Sequence, residues 1–263
     1  MRPNTFKEKL TKGQPTTCGW LGIASTYSAE IAGHAGFDTV LVDLQHGMID
    51  FQVALEMLQA ISSTPATPIV RPTSLDPAQI MHLLDAGAYG VVCPMISTVA
   101  QAELFVRACR YPPRGDRSYG PARGFTFGGA DYFENADSHI LTFAMIETVE
   151  GLGNLEAIVK TDGLDGIFIG PNDLSLALVH KPAQDFTHPQ VIEAIERIRI
   201  ATKAAGKFSG IYSANGETGA KRIAQGFDMV TLGNDASQMG GAMKAANAIA
   251  KSAAPAAASK TGY

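Results

Sequence analysis

Four polar residues stand at the ends of short apolar runs or in the turn just beyond one. His46 follows Val42-Asp43-Leu44-Gln45, Arg71 closes Pro68-Ile69-Val70, Glu147 closes residues 141–146, and Asp173 lies in the turn Gly170-Pro171-Asn172-Asp173 after residues 166–169. Imidazole exchanges protons near neutral pH. A fixed guanidinium stabilises an oxyanion as its charge develops. Two carboxylates with open positions suit a hard divalent cation such as Mg²⁺ or Mn²⁺, with water and substrate oxygens completing the shell. Taken singly, Asp173 reads equally well as a helix cap and Glu147 as the partner of a nearby cation. Taken jointly, each after an interior apolar run, they favour a metal site. The turn from Gly170 would also present unpaired backbone N–H groups at a helix start, a seat for a substrate carboxylate. Pro72 biases Arg71 toward extended backbone, which aims its side chain past the strand end. Asp43 or Asp85 is a candidate to orient the His46 ring.

These residues are useful together only if the strand ends converge. Eight apolar runs, residues 18–23, 39–45, 68–71, 90–96, 141–147, 166–170, 208–212 and 229–233, read as strands covered on both faces. Helical periodicity fills the gaps at residues 51–61, 77–86, 99–109, 189–205 and 216–225, several of them stopping at glycine (Gly87, Gly206, Gly226). Strand and helix alternating eight times predict a single (β/α)₈ TIM barrel over residues 1–251, with an open doubly wound sheet as the competing architecture. A barrel gathers the strand C-termini on one face, where His46, Arg71, Glu147 and Asp173 would meet.

Two segments break the alternation. Residues 111–138 are rich in Gly, Pro, Arg and aromatics, and are expected to cover the barrel mouth or to form a subunit contact. Residues 252–263 read as a low-complexity tail. The chain has 263 residues, 46% hydrophobic and 17% charged, with a formal net charge of −4, so it has no basic field for nucleic acid. It has no apolar stretch of membrane-spanning length and no secretory leader, so it reads as cytoplasmic with no membrane partner. Cys18, Cys93 and Cys109 lack metal-ligand spacing and read as reduced structural thiols. His34, His82, His139, His180 and His188 fall in helices or beside loops and are weaker candidates than His46.

The ordered runs Trp20-Leu21-Gly22, Val42-Asp43-Leu44-Gln45-His46, Val70-Arg71-Pro72, Ile146-Glu147-Thr148 and Phe168-Ile169-Gly170-Pro171-Asn172-Asp173-Leu174-Ser175 resemble the HpcH/HpaI aldolase family, metal-dependent class II pyruvate aldolases. The resemblance implies reversible retro-aldol cleavage of a 4-hydroxy-2-oxo acid to pyruvate, or a related 2-oxo acid, and an aldehyde, through a metal-stabilised enolate. It implies Glu147 and Asp173 as ligands to Mg²⁺, Mn²⁺ or Co²⁺, with no organic cofactor. His46 is then the base and Arg71 the enolate-stabilising cation. Asp85 and Asp43 would support the histidine, Asp85 across a subunit boundary in one version. Trp20, Met145, Gly170, Pro171, Asn172 and Asp173 would line the substrate seat. The assembly implied is a homo-oligomer, commonly a hexamer built as a trimer of dimers, with the last helix exchanged between subunits.

Two departures concern the substrate. Gln45 stands where many members carry Glu, and Met145 where several have a substrate-contacting Gln. The run from Arg117 to Gly124 suggests a subgroup apart from the sugar-acid aldolases, which leaves the aldehyde open. The alternatives are a citramalyl- or malyl-CoA-type lyase, for which Arg114, Arg117 and Arg123 would supply a basic groove, and a non-catalytic binding barrel.

Overall fold

The computed structural model describes residues 1–182 and 187–252. Eight parallel strands close into a barrel in sequence order: β1 (Thr16–Leu21), β2 (Thr39–Asp43), β3 (Thr67–Arg71), β4 (Gly90–Cys93), β5 (Leu141–Ile146), β6 (Gly166–Ile169), β7 (Phe208–Ile211) and β8 (Met229–Thr231). The expected (β/α)₈ architecture is therefore present, and the open sheet is excluded by the β1–β8 pairing of Cys18 with Thr231. Most strands stop one to three residues before the apolar runs do. Composition stays apolar past the last ladder bond because those residues still wall the cavity at the mouth.

Continuous apolar strands follow from burial on both faces. Along β2, Leu41 points into the barrel with Ile69, Val92, Phe143, Phe168 and Met229, while Val40 and Val42 pack outward beneath the helices. Gly166 and Gly210 leave room for those interior rings. A Cβ on Gly166 would lie 2.5 Å from the Phe143 ring, and one on Gly210 2.6 Å from the Phe168 ring.

The helices start where side chains satisfy their free N–H groups. Asp50 caps Phe51–Ser62, Asp76 with Pro77 at the first turn starts Pro77–Asp85, and Thr98 with Gln101 forms a capping box on Val99–Cys109. The short helix Thr5–Thr11 closes the N-terminal end of the barrel. Its Phe6 and Leu10 enter the interior, Phe6 stacks on Phe143, and Asn4 donates to the carbonyls of Tyr89 and His139 at 3.2 and 2.7 Å.

Residues 111–138 do not cover the mouth within the chain. They form a π-helical turn, Gly124–Gly128, and the helix Tyr132–His139. Arg123 reaches back to the Ala86 carbonyl and Ser62 Oγ at 2.7 and 2.8 Å, and the buried Arg117 pairs with Asp85. The helix Pro77–Asp85 runs back from the mouth end of β3, so these contacts draw the segment toward the opposite end of the barrel.

The last helix, Asp235–Ser252, has no buried residue, and its Met243 and Ile249 are largely exposed. It takes in Ser252, the first residue of the expected tail; the rest of that tail, residues 253–263, lies outside the described residues. All three cysteines are free and buried, and burial pushes the Cys109 thiol up to about 12. Among the described residues no helix is long and apolar enough to cross a membrane.

Candidate active site

At the C-terminal ends of the strands lies a cavity of about 340 Å³, lined by Trp20, Asp43, His46, Arg71, Met145, Glu147, Gly170, Pro171, Asn172, Asp173 and others. All the expected site residues except Asp85 therefore share one space. They arrive from the ends of β1, β2, β3, β5 and β6, so rigid ladders set the separations between these groups.

Glu147, the residue after β5, is buried. Its Oε1 accepts the Met95 N–H at 2.8 Å. Met95 sits at φ +59°, a left-handed conformation for a non-glycine residue that turns this N–H toward the carboxylate. The other oxygen lies against Gly170, where an added Cβ would be 1.9 Å from Oε2. Burial, partly offset by the Met95 N–H, and then the like charge of Asp173 push Glu147 up to about 7. A carboxyl so placed gains from any cation that neutralises it.

Asp173 belongs to the first turn of the helix Pro171–Val179, which starts at Gly170 without a side-chain cap. Pro171 has no N–H, and the first intrahelical bond runs from Leu174 to Gly170. The N–H groups of Asn172 and Asp173 thus have no partner among the described residues and are open to an anion. Two carboxylates are hard oxygen donors, and Glu147 packs so close over Gly170 that any Cβ there would displace its oxygen. The residues present fit a divalent cation that keeps water or substrate oxygens in its shell. No group of three or more His, Cys, Asp or Glu gathers among the described residues.

Arg71 is buried and forked onto Asp43, Nε to Oδ1 at 2.7 Å and Nη2 to Oδ2 at 2.6 Å. Its guanidinium lies 4.7 Å over the Trp20 ring, whose Nε1 also donates to Asp43 at 3.1 Å. Burial pushes Asp43 upward, but Arg71, Trp20 and the Gln45 amide outweigh it and hold the carboxyl below its ordinary value. Nη1 of Arg71 has no protein acceptor among the described residues.

Within the chain neither acidic residue expected to support His46 meets its ring. Asp43 orients Arg71 and Trp20, touching His46 only through the backbone N–H at 3.4 Å. Asp85 takes Arg117 Nη2 at 2.7 Å at the far end of its helix, away from the cavity. A helix that returns antiparallel to the strands carries its last residue to the barrel floor. Within the chain the His46 ring is exposed at the rim with no side-chain partner among the described residues.

The departures resolve in part. Met145 offers the cavity a thioether, its carbonyl already bonded to Ile96 N–H at 3.1 Å. Gln45 lies behind the wall with Oε1 buried and unpartnered. Among the described residues the three arginines named for a nucleotide-bearing substrate do not meet in a groove: Arg117 and Arg123 are spent inside the chain, and Arg114 stands 4.0 Å from Asp137 on the surface. No lysine among the described residues lines the cavity. Tyr212 and Asn234 line it but were not singled out from the sequence; the rule that marked Glu147, the last residue of an apolar run, marks Tyr212 as well.

A (β/α)₈ barrel with paired carboxylates, an oriented arginine and an uncapped helix start at its mouth defines an enzyme that handles a small oxyanion. The chain belongs to the HpcH/HpaI aldolase/citrate lyase family, whose sequence profile it matches over residues 17–242. It is 41% identical over 241 residues to a hydroxypyruvate/pyruvate aldolase of Rhizorhabdus wittichii, covering 92% of this chain and 96% of that one. It is also 41% identical over 243 residues to a 4-hydroxy-2-oxo-heptane-1,7-dioate aldolase of Salmonella dublin, covering 89% and 92%. The crystal structure of a family member from Burkholderia cenocepacia superposes with a TM-score of 0.87 at 30% identity, over 94% of this chain and 99% of that one.

Proposed function

We propose that this protein is a class II aldolase that reversibly cleaves a 4-hydroxy-2-oxo acid to pyruvate, or a related 2-oxo acid, and an aldehyde. The observation that carries this reading is the convergence on one cavity of Glu147 and Asp173, the free N–H groups of Asn172 and Asp173, and Arg71 held by Asp43. The names of the two curated relatives support the same carbon–carbon lyase chemistry.

Glu147 and Asp173 would hold a divalent cation, Mg²⁺, Mn²⁺ or Co²⁺. When bound, it supplies Lewis-acid polarisation of the 2-oxo group. The free N–H groups of Asn172 and Asp173 bind the substrate carboxylate. Trp20, Met145 and Phe168 exclude water from the inner face. In cleavage His46 accepts the proton of the 4-hydroxyl, the bond between carbons 3 and 4 breaks, and its electron pair remains with carbon 3 as the enolate. Arg71 is poised to donate to the enolate oxygen as its charge grows, at no cost in reorganisation because Asp43 and the Trp20 ring already fix it. The aldehyde leaves through the open rim beside His46, and a proton returned to carbon 3 completes pyruvate.

The reading includes a cytoplasmic homo-oligomer, a hexamer of three dimers, in which Asp235–Ser252 is exchanged between subunits. A helix of 18 residues with none buried in its own chain supports that assembly.

The test is exchange of the pyruvate methyl protons in D₂O with Mn²⁺ or Mg²⁺ added. Exchange that stops with chelator and in His46→Ala is expected. Absence of exchange with every divalent metal overturns the reading.

A further inference from the structure

The side of the cavity formed by β7, β8 and β1 has no part in holding the carboxylate or the 2-oxo group, yet it is built with polar order. Tyr212, the residue after β7, sets its ring edge-on to Trp20 at 5.7 Å. The Asn234 side chain lies beside its phenol, and both line the cavity. Asn234 is itself fixed, since its Oδ1 accepts the Ser237 N–H at 2.8 Å and its own N–H donates to Ser237 Oγ at 3.2 Å. With Oδ1 engaged, the amide NH₂ is the group Asn234 has to offer the phenol.

The two strand ends are also tied to each other. Ser213 N–H donates to Thr231 Oγ1 at 2.9 Å, and Gly233 N–H to the Ser213 carbonyl at 2.7 Å. Gly233 is at φ +85°, and a Cβ there would meet the Ala214 carbonyl oxygen at 2.7 Å. The tight turn sets Asn234 across from Tyr212. A phenol that accepts from Asn234 keeps its own O–H as a donor, and both residues line the cavity.

We propose that Tyr212, fixed by Asn234, is a specificity-determining residue that donates to a hydroxyl on carbon 3 of the 2-oxo acid, and so favours 3-hydroxypyruvate over pyruvate as the nucleophilic partner. The proposal rests on the aldolase reading above. Carbon 3 is the relevant position because the Tyr212 ring contacts Trp20, over whose ring lies the Arg71 guanidinium set at the 2-oxo oxygen. The atom next to that carbonyl is therefore the one whose substituent falls within reach. Pyruvate has only hydrogens there, and leaves the donor unanswered.

The test uses Tyr212→Phe, which keeps the ring against Trp20 and removes only the hydroxyl. Both 2-oxo acids are assayed with Mn²⁺ and propionaldehyde, an acceptor with no hydroxyl of its own. Binding is read separately from the emission of Trp20, the chain's single tryptophan, which touches the Tyr212 ring. The expected result is a fall of about 5- to 10-fold in kcat/KM and affinity for 3-hydroxypyruvate, with pyruvate changed by less than about twofold, as for one lost hydrogen bond. Asn234→Ala, which unfixes the phenol, shifts the ratio the same way by a smaller factor. Equal effects on both acids, or none, overturn the proposal while leaving the aldolase reading intact. A wild-type protein that binds and turns over neither acid overturns the aldolase reading itself.

Discussion

Gly170→Ala isolates the Glu147 carboxylate as a structural variable. The backbone at this position has φ −90° and ψ 92°, which alanine adopts without strain, so the methyl group acts only through what it touches. It touches Glu147 Oε2 at 1.9 Å and the flexible end of Met145 at 3.0 Å. Real Cβ atoms do not approach below 3.0 Å, so the oxygen must retreat by more than 1 Å. Its other oxygen is pinned by the Met95 N–H, so the carboxylate rotates or breaks that bond rather than sliding aside. Constellations of this kind need their groups within about 0.5 Å of the productive position, and a 1 Å misplacement costs about 100-fold. The expected outcome is a loss of Mn²⁺ affinity of about 100-fold, read by electron paramagnetic resonance of free Mn²⁺, with an unchanged circular dichroism spectrum. Affinity within about twofold of wild type in a folded variant would refute the idea that Gly170 shapes the ligand position.

Glu147→Gln should reverse a pH effect in chelator. Burial raises the folded carboxyl from 4.5 to about 7, so between those values the folded state holds a proton that the unfolded state has released, and stability falls as pH rises. The variant has no such proton, and should be more stable than wild type by roughly 2–3 kcal/mol at pH 8 but not at pH 4.5, measured by urea unfolding; a pH-independent difference refutes the assignment. Asp43→Ala leaves the Arg71 guanidinium buried without its fork, and should cost about 3 kcal/mol of stability along with most of the turnover and a changed Trp20 emission. Loss of stability without any change in emission or rate would show that Asp43 has no positioning role.

Strand ends were the legible part of the site. Glu147, Arg71, His46 and the turn from Gly170 to Asp173 are recognisable because a barrel sends the end of every apolar run to one face, and they do share the cavity. Pairings between side chains were less legible. Asp43 is within three residues of His46 in the chain, which suggested a contact, but strand alternation aims it inward to Arg71 on the adjacent strand, 28 residues away in sequence. Within the chain Asp85 pairs with Arg117, since its direction depends on where its helix ends rather than on its residue type. Tyr212 was hidden because an aromatic closing an apolar run looks like core, and Met95 because backbone handedness leaves no compositional trace.

The short helix Thr5–Thr11 has a consequence for the order of assembly. It is synthesised early, yet its partners are Thr67, Tyr89, His139, Phe143 and Asp165, which lie some 60 to 160 residues later in the chain. No docking site for it exists until β5 has paired, so it must stay undocked through most of translation and seat late. A spectroscopic label on Lys12, outside the interior, would therefore clock completion of the barrel floor and report nothing of the mouth. The floor, at the end of the molecule farthest from the chemistry, is thus closed by a segment made before the strands it rests on.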